Sequence, residues 1–300
     1  MTGMTLVKRI TQNPHRILTG IVLRLCIWLP DSIYLKILYY HYFKKKLDLD
    51  NPKTYNEKLQ WLKLYNRNPL YTTLVDKYSV KEWVAEKIGE EHVIPTIAVY
   101  DNVDEIDFDA LPDSFVLKTT HDCGGIIICK DKNKLDIEAS KKLLKKAISH
   151  SYYRRMREWP YKNVKRRIIA ENYMVDSNTS DLKDYKFFCF DGNVEYLFVA
   201  SERQSKSETK FDFFDSSFNH LPIVNGHPNS TVPQEKPKNF EQMLSLASIL
   251  SKGMPHVRVD FYEVNGQVYF GEMTFFHYSG LVPFEPEEWD MIFGSKITLP

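Results

Sequence analysis

The chain has 300 residues, enough for one large domain or two ordinary ones. Its 40 Lys and Arg residues nearly balance 39 Asp and Glu residues, so the overall charge gives no nucleic-acid signature. The four cysteines are scattered without the spacing of a disulfide framework, which favours a reducing, cytoplasmic setting.

The N-terminal segment combines basic and apolar residues. Basic residues precede the apolar run 17–29, which Arg24 interrupts, and a second apolar stretch covers residues 33–43. The first run lacks the cleavage site of a signal peptide and is too short for a membrane-spanning helix. Two interpretations remain for residues 1–46: a helical subdomain packed on the body of the protein, or a peripheral helix on an anionic membrane surface.

A strand followed by a glycine pair is the first segment of the chain that could form a binding site. Apolar residues at helical spacing predict helices in residues 53–90, and residues 114–120 read as a short buried strand that carries Lys118. The loop His121–Gly125 and the return strand Ile126–Cys129 follow. Backbone N–H groups of such a loop can turn toward an anion, although an ordinary hairpin with a surface lysine is the alternative.

The middle of the chain predicts a basic helix and then several strands. Residues 135–158 are rich in Lys and Arg, which indicates either a solvated helix face or a surface for a phosphate-rich partner or membrane. Strands are predicted at residues 167–174, at Asp184–Phe190 and at residues 194–200. Residues 201–238 read as a long irregular loop region, and residues 239–252 as an amphipathic helix.

The C-terminal part predicts a β-hairpin with unusual polar groups. Two alternating apolar and polar runs, 257–262 and 268–274, flank the turn signal Asn265-Gly266. Charged side chains stand at positions where strands normally carry core residues, and those two positions apart share one face.

The register of this hairpin decides whether its polar groups meet. A strict two-residue turn places Asp260 and Glu272 on opposite faces. A three-residue loop instead pairs Arg258 with Glu272 and Asp260 with Phe270, so that both carboxylates share one face. Two carboxylates and the Thr274 hydroxyl are then oxygen ligands suited to a magnesium ion that also holds phosphate, while a solvated face with an Arg258–Glu272 ion pair is the alternative.

The order of these pieces resembles the ATP-grasp superfamily, and within it the branch typified by the teichuronopeptide-biosynthesis protein of bacterial cell-wall and capsule loci. The resemblance spans about residues 50–290 and depends on the order and spacing of the segments 51–61 (NPKTYNEKLQW), 76–78 (DKY), 115–121 (FVLKTTH), 184–192 (DYKFFCFDG), 257–262 (VRVDFY) and 271–274 (GEMT). It implies an α+β fold in which two α+β subdomains grip ATP between antiparallel sheets, after a helical N-terminal extension. The corresponding divisions are residues 1–50 for the extension, 51–112 for a helical pre-grasp region, 113–174 for the small subdomain and 175–300 for the large subdomain with the metal site.

The resemblance also implies roles at the nucleotide. Contacts with ATP are implied for Lys77, Lys118, His121, Gly124, Gly125, Glu171, Asp184 and Lys186. The lysines would lie at the phosphates, the glycine loop would close over them, Glu171 would lie beside the adenine contact and Asp184 near the ribose. Lys186 is equally well explained as a surface lysine on a strand.

A second group of implied roles concerns catalysis and metal. Asp260 and Glu272 would hold one or two Mg²⁺ ions, and Arg258 together with Lys118 would act at the transferred phosphate. The family's usual last ligand is asparagine in a Glu-x-Asn motif, whereas this chain has Thr274, a weaker ligand. His277 follows the motif, where the family places acceptor contacts, and a buried structural histidine is the alternative.

The expected function is that of an ATP-dependent carboxylate–amine ligase of bacterial surface polysaccharide biosynthesis, which works through an acyl phosphate. Its partners would be a small-molecule or polysaccharide-precursor carboxylate and an amine, without nucleic acid, in the cytoplasm or at the inner face of the plasma membrane. A kinase on the same fold, a non-catalytic binding module and a glycosyltransferase remain alternatives. The last would use an Asp-x-Asp sequence, of which 48–50 and 107–109 are examples.

Overall fold

The computed structural model describes residues 27–122, 124–177, 182–202 and 208–300. Within these residues the α-helices are α1 Asp31–Phe43, α2 Tyr55–Tyr65, α3 Leu70–Val75, α4 Ser79–Ile88, α5 Ile137–Ser149, α6 Tyr152–Met156, α7 Phe240–Ser251 and α8 Glu288–Lys296. The strands are β1 Thr96–Tyr100, β2 Phe115–Thr119, β3 Ile126–Cys129, β4 Ile168–Asn172, β5 Asp184–Phe190, β6 Asn193–Ser201, β7 Lys210–Asp215, β8 His220–Leu221, β9 Val257–Val264 and β10 Gln267–Thr274. Short 3-10 helices occupy Glu90–His92, Val103–Glu105, Lys132–Lys134, Trp159–Asn163 and His277–Gly280.

The strands form two antiparallel sheets, which confirms the expected α+β fold. The smaller sheet has the order β1-β4-β2-β3, and the larger one has the order β10-β9-β5-β6-β7-β8. Because β1 pairs with β4, the small sheet also takes in a strand that lies upstream of residue 113. The crossing from one sheet to the other runs from the end of β4 to the start of β5.

Aromatic side chains fill the core under the larger sheet. All seven residues of β5 are buried, among them Phe187 and Phe188 with no exposed surface. Phe187 packs on Phe240 of α7, and Phe188 packs on Phe198 of β6 and Phe213 of β7. Each such side chain stabilises the fold by about 1.5–3 kcal/mol through burial, so β5 is a rigid platform for whatever its neighbours carry.

The basic helix of the middle region is shorter than predicted. It ends as α5 at Ser149, and Ser151 caps a separate short helix, α6, by accepting the N–H of Arg154 at 3.5 Å. α5 begins at an Asp136 cap, which accepts the N–H of Ala139 at 2.8 Å, and buries Leu144 against the small sheet. The prediction of one helix over 135–158 was therefore wrong at the Ser151 cap, which starts a new helix.

The region 201–238 is also more ordered than the loop we expected. It contains β7 and β8, whose pairing places Phe213 opposite Leu221. Asp215 closes the turn between them by accepting the N–H groups of Ser217 and Asn219 at 2.9 Å each. The prediction failed because glycine and proline in the surrounding sequence concealed the alternation of β7.

Helix α1 packs on the body of the protein. Its side chains Tyr34, Leu35, Leu38 and Tyr39 form a small core with Leu281, among other residues. Asp31 at its first turn accepts a hydrogen bond from the Tyr153 hydroxyl at 2.9 Å. No helix in the described part of the chain is long and apolar enough to cross a membrane. Residues 1–26, which the membrane alternative also invoked, lie outside the described residues.

Candidate functional site

The β9–β10 hairpin brings the predicted metal-binding residues onto one face, in a register that differs from both expectations. The turn has two residues, Asn265 and Gly266, with φ of 51° and 77°, and Val264 pairs with Gln267. This is the turn that would place the two carboxylates on opposite faces if the pairing continued regularly.

A β-bulge restores the common face. The register shifts between Phe270 and Glu272, so that Asp260 lies opposite Glu272 and Arg258 lies opposite Thr274. Gly271 is the extra residue of the bulge. A Cβ atom there would lie 3.1 Å from the backbone oxygen of Asp260, a tight contact that glycine avoids where the strands approach closely.

Arg258 is the centre of the resulting polar cluster. Its Nε donates to Oδ1 of Asp260 at 2.7 Å and its Nη2 donates to Oδ2 at 2.7 Å, which makes a bidentate pair. The same Nη2 donates to Glu272 Oε1 at 3.1 Å and to the Thr274 hydroxyl at 3.0 Å. The remaining nitrogen, Nη1, donates to Nδ1 of His277 at 2.7 Å. One buried guanidinium therefore links every member of the motif to its neighbours.

His277 is a buried partner of this arginine. It accepts from Arg258 through Nδ1, so its Nε2 carries the proton and donates to Oδ1 of Asn225 at 2.9 Å. Burial and the charge of Arg258 hold the pKa of His277 well below its ordinary value. The ring is therefore neutral and orients the guanidinium, which agrees with the structural interpretation of this histidine.

Lys186 joins the cluster from β5. Its position pairs with Asp260 across the strands, and its Nζ contacts Oδ2 of that residue. Nζ also lies 3.3 Å from Oδ2 of Asp184, which is two positions away and 1% exposed. Lys186 is therefore a buried member of the site and not the surface lysine of the alternative interpretation, and Asp184 lies beside it.

Glu272 is the accessible carboxylate of the cluster. Its side chain is 38% exposed although it lies among several cations. Burial raises its pKa, but Lys186, Arg258 and Lys77 outweigh that effect and hold the pKa at about 2. Glu272 is therefore ionised at neutral pH and open to a ligand. Its Oε1 also accepts from the Thr274 hydroxyl at 3.4 Å.

These donors fit a magnesium ion that arrives with a nucleotide. In the described residues no three His, Cys, Asp or Glu side chains converge on one point as a metal cage would require. Both oxygens of Asp260 already accept from Arg258, which leaves Glu272 as the open ligand. Magnesium is commonly held by one or two carboxylates, with substrate phosphates and waters completing its coordination. The set therefore suits phosphate-bound Mg²⁺ better than a metal ion held by protein alone.

A second charged cluster lies on the small sheet. Glu171 of β4 is 4% exposed and forms ion pairs with Lys118 at 2.7 Å and with Lys81 at 2.5 Å. Burial raises the pKa of Glu171, but the two lysines outweigh it and the pKa falls below its ordinary value. Glu171 therefore holds Lys118 in place while remaining ionised.

Lys81 is a site residue that sequence reasoning missed. It lies on α4 and also donates to the carbonyl oxygen of Ile94 at 2.7 Å and to the Thr96 hydroxyl at 2.8 Å. Burial lowers its pKa, and the nearby Glu171 opposes that effect. The signal available in the sequence was its position four residues after Lys77.

A largely apolar cavity of about 170 Å³ opens between the two sheets beside Lys118. Val116, Ile126 and Ile128 line it from the small sheet, and Tyr262 lines it from the large sheet. Glu171 and the segment after it, 172–174, form another wall. Tyr262 is two positions from Asp260 on β9, so the cavity reaches the strand that carries this carboxylate. Asp184 is not among the residues that line the cavity.

The glycine loop between β2 and β3 is held from several sides. The N–H of Thr119 donates to the carbonyl oxygen of Gly125 at 2.8 Å, and the N–H of Gly125 donates to the Asp122 side chain at 3.3 Å. Lys77 contacts the carbonyl oxygen of Asp122, which places this lysine at the loop. A Cβ at Gly125 would lie 2.2 Å from the Thr119 hydroxyl, whereas at Gly124 it would meet nothing within 4 Å.

His121 has a structural position in this loop. Its ring is 3% exposed, and its Nε2 donates to the carbonyl oxygen of His150 at 3.0 Å. Burial lowers its pKa, so the ring is neutral. Any contact of this residue with a nucleotide would come from its backbone, because its ring is turned toward α5.

Helix α2 holds the segment that follows the metal motif. Tyr278, Ser279 and Gly280 have φ of 47°, 59° and 60°, a run of left-handed residues that is strained outside glycine. Gln60 Nε2 donates to the carbonyl oxygens of Ser279 at 3.0 Å and Gly280 at 2.8 Å, and Lys63 Nζ donates to both oxygens of Ser279 at 2.8 Å. These four bonds fix the segment that carries His277 to Arg258.

Comparison with known proteins agrees with this arrangement. The model of the family described as TupA-like ATP-grasp matches residues 57–298. Among solved structures, the chain is similar to the D-alanine–D-alanine ligase of Helicobacter pylori, with 14% identity and a TM-score of 0.44 over 83% of this chain and 70% of that one. It is also similar to the D-cycloserine synthetase DcsG, with 15% identity and a TM-score of 0.41 over 76% of this chain and 70% of that one. A third is the D-alanine–D-alanine ligase of Bacillus anthracis complexed with ATP, with 15% identity and a TM-score of 0.40 over 75% of this chain and 65% of that one.

The comparison with curated proteins gives no match. The family match therefore carries the assignment, and it spans both sheets and the two charged clusters. The chain belongs to the TupA-like ATP-grasp family.

Proposed function

We propose that the protein joins a carboxylate to an amine at the expense of ATP, and that the carboxylate belongs to a precursor of a bacterial surface polysaccharide. The observation that carries the proposal is an apolar cavity that Lys118 and Glu171 line on one side and that Tyr262, two positions from Asp260 on β9, lines on the other. An apolar slot that ends in cations and carboxylates suits a ligand with a flat base at one end and phosphates at the other.

In this proposal the adenine lies in the cavity, against the wall that follows Glu171. Lys118 and Lys77 reach the phosphates, and the loop that contains Gly124 and Gly125 covers them. The contact of Lys186 with Asp260 would hold its ammonium group in the region of the phosphates. Several cations are required because a triphosphate carries up to four negative charges, which the protein must offset when water is excluded.

Glu272 would hold Mg²⁺ together with the phosphates, and Asp260 and the Thr274 hydroxyl, which both accept from Arg258, would serve as further ligands. When bound, the ion would offset charge on the phosphate oxygens during transfer. Arg258 is held by Asp260 and His277, and its Nη2 donates to Glu272, so its positive charge lies beside the open carboxylate. We assign to Arg258 the stabilisation of negative charge at the reacting centre.

The reaction would proceed in two balanced steps. A carboxylate oxygen of the substrate attacks the γ-phosphorus, the bond between that phosphorus and the β,γ-bridging oxygen breaks, and ADP leaves. The amine nitrogen then attacks the acyl carbon, the C–O bond to phosphate breaks, and the amine releases a proton to give amide and inorganic phosphate. No covalent enzyme intermediate is needed, so the side chains bind, orient and keep water away.

The Asp-x-Asp sequences considered for a glycosyltransferase lie in local turns. Asp48 accepts the N–H groups of Asp50 and Asn51 at 3.0 and 2.9 Å, and Asp107 accepts those of Asp109 and Ala110 at 3.0 and 3.2 Å. Neither lines the cavity. The glycosyltransferase alternative therefore finds less support here than the ligase.

Nucleotide binding and product formation test the proposal in turn. Mg–ATP should raise the melting temperature of the protein, whereas UDP-sugars should not, because a ligand that binds only the folded state stabilises it. ADP release should then require a uronic acid and an amine together. Release that needs a hydroxyl acceptor and no amine would indicate a kinase, and no shift with any nucleotide would refute the proposal.

A further inference from the structure

An arginine-lined groove lies outside the nucleotide cleft. It has a volume of about 450 Å³ and is lined by Arg154, Arg155 and Arg166, together with His150 and Tyr34 among others. Arg154 and Arg155 are consecutive residues of α6, and Arg166 comes from the chain just before β4. No carboxylate lines the groove. We call this depression the arginine groove.

The arginines of this groove have few partners. Among the described residues no Asp or Glu lies within salt-bridge distance of Arg154 or Arg155, and both side chains are exposed. Arg166 donates only to carbonyl oxygens, those of Ile148 and Ser149 at 3.2 Å each. Arg157, two positions after Arg155, differs from these arginines. It is buried, and its Nε lies 3.5 Å from Oδ1 of Asp31. The charge of the groove is thus available to a ligand.

The groove continues toward the proposed phosphate loop. A second depression of about 460 Å³ shares His150, Ser151 and Arg155 with it and is lined at its far side by Gly124 and Lys146. Asp122 is the carboxylate in that lining, and its side chain already accepts from Thr119 and Gly125 within the loop. The two depressions therefore join at His150, Ser151 and Arg155, and together they lead from α6 past Lys146 to Gly124.

We infer that the arginine groove binds an anionic part of the substrate, beyond the single carboxylate that becomes activated. This inference rests on the proposed function and adds a substrate class to it: a molecule with several carboxylate or phosphate groups. One carboxylate would lie at the phosphate loop while further anionic groups lie against the arginines, whose planar guanidinium groups bind both kinds of anion in a bidentate way. A concave path that ends at the loop fits an extended substrate better than the flat face of a membrane.

Binding of defined anions to the whole protein tests the inference. With the nucleotide site filled by Mg–AMP-PNP, trigalacturonic acid and inorganic pyrophosphate would be titrated calorimetrically, the first as a carboxylate probe and the second as a phosphate probe. Neutral maltotriose is the uncharged control. The double variant Arg154→Gln/Arg155→Gln should weaken binding of at least one anion tenfold or more. Binding should also weaken as salt is raised, since it depends on ion pairs.

A matched variant separates the groove from overall charge. Lys142→Gln/Lys238→Gln removes two positive charges from exposed positions that line neither depression, and it should change the dissociation constant by less than twofold. Equal loss in both double variants, or equal binding of maltotriose, would overturn the inference. Capture by phosphatidylglycerol vesicles without binding of either soluble anion would also overturn it, in favour of a membrane surface.

Nucleotide binding is measured separately from anion binding. Mg–AMP-PNP should bind the wild type and the Arg154→Gln/Arg155→Gln variant equally, within twofold, and both should melt at similar temperatures because the arginines are exposed. Failure of the wild type to bind the nucleotide would refute the proposed function itself. Nucleotide binding without any anion binding would refute the groove alone.

Discussion

Arg258 and Asp260, two residues apart on β9, form a bidentate ion pair with both hydrogen bonds at 2.7 Å. Asp260 has no exposed surface, so its charge is tolerated because Arg258 and Lys186 lie against it. A buried ion pair is costly to break by removing one partner, because the other charge then remains in a medium of low dielectric constant. The residue that the motif presents as a metal ligand is therefore also a structural residue.

Substitution of the two carboxylates should separate these roles. Asp260→Asn leaves two cations without their buried counter-charge and should lower the free energy of unfolding by about 3 kcal/mol. Glu272→Gln affects a partly exposed side chain and should cost about 1 kcal/mol or less. Chemical denaturation of both variants measures the difference, and equal losses would contradict it.

The Glu272→Gln variant also tests how Mg²⁺ binds. In the wild type, Mg²⁺ should tighten the binding of AMP-PNP, and Glu272→Gln should remove most of that gain while keeping the affinity measured in EDTA. Mg²⁺ without nucleotide should give no saturable heat in calorimetry, since Glu272 is the open ligand of a site that phosphates must complete. Tight binding of Mg²⁺ alone would show a preformed metal site instead.

Lys81 should act on nucleotide binding through Glu171. Lys81→Ala removes one of the two cations that hold this carboxylate, so Glu171 can move and Lys118 loses its fixed partner. We expect the dissociation constant of Mg–AMP-PNP to rise about tenfold, equivalent to about 1.4 kcal/mol, with a larger rise for Lys118→Ala. Lys87→Ala, at an exposed position on the same helix, is the control. A Lys81→Ala variant with wild-type affinity would exclude this positioning role.

The ion pairs of Glu171 predict a pH dependence in the acid range. Its folded-state pKa lies below the ordinary value of 4.5, so above that pH the ionised residue stabilises the fold. As pH falls through 4.5 and below, the unfolded state binds the proton more readily and the stabilisation is lost. The difference in unfolding free energy between wild type and Glu171→Gln should therefore be largest near pH 6 and narrow steadily below 4.5. A difference that stays constant down to pH 3 would contradict the lowered pKa.

The two glycines of the loop should respond differently to alanine. At Gly125 the new methyl group would lie 2.2 Å from the Thr119 hydroxyl and 2.8 Å from Cβ of Ala147, so the loop must shift. We expect Gly125→Ala to weaken Mg–AMP-PNP at least tenfold. Gly124→Ala meets no atom within 4 Å and should weaken it about threefold or less. The reverse order of the two effects, measured by the same titration, would show that the loop takes another shape when it binds.

Much of the fold could be predicted because its strands carry local signals. β3 and β5 begin and end where alternation and flanking turns predicted, and the turn signal Asn265-Gly266 forms the expected hairpin turn. The register was not predictable in the same way. The bulge at Gly271 brings this residue close to Asp260 on the partner strand. The local sequence does not indicate that contact.

The residues of the candidate site could also be predicted only in part. The motif residues of β9 and β10 were found from their pattern, since charged groups on a core strand need an explanation. Lys81 was missed because its partner, Glu171, is 90 residues away and only the packing of α4 on the small sheet brings them together. Asp184 was placed at the ribose by resemblance, yet its neighbour in the structure is Lys186, and its contact with the ribose stays a prediction.

The hydrogen bonds from α2 to residues 279 and 280 have a consequence for the order in which parts of the protein fold. Gln60 and Gly280 are 220 positions apart, yet their bond fixes the left-handed segment beside Arg258. During synthesis the small sheet is complete long before this segment leaves the ribosome, whereas the cluster around Arg258 must wait for it. Contacts so distant along the chain also form late in folding, because closing a long loop costs entropy. We therefore expect the small sheet to form first and the cluster around Arg258 to be completed last.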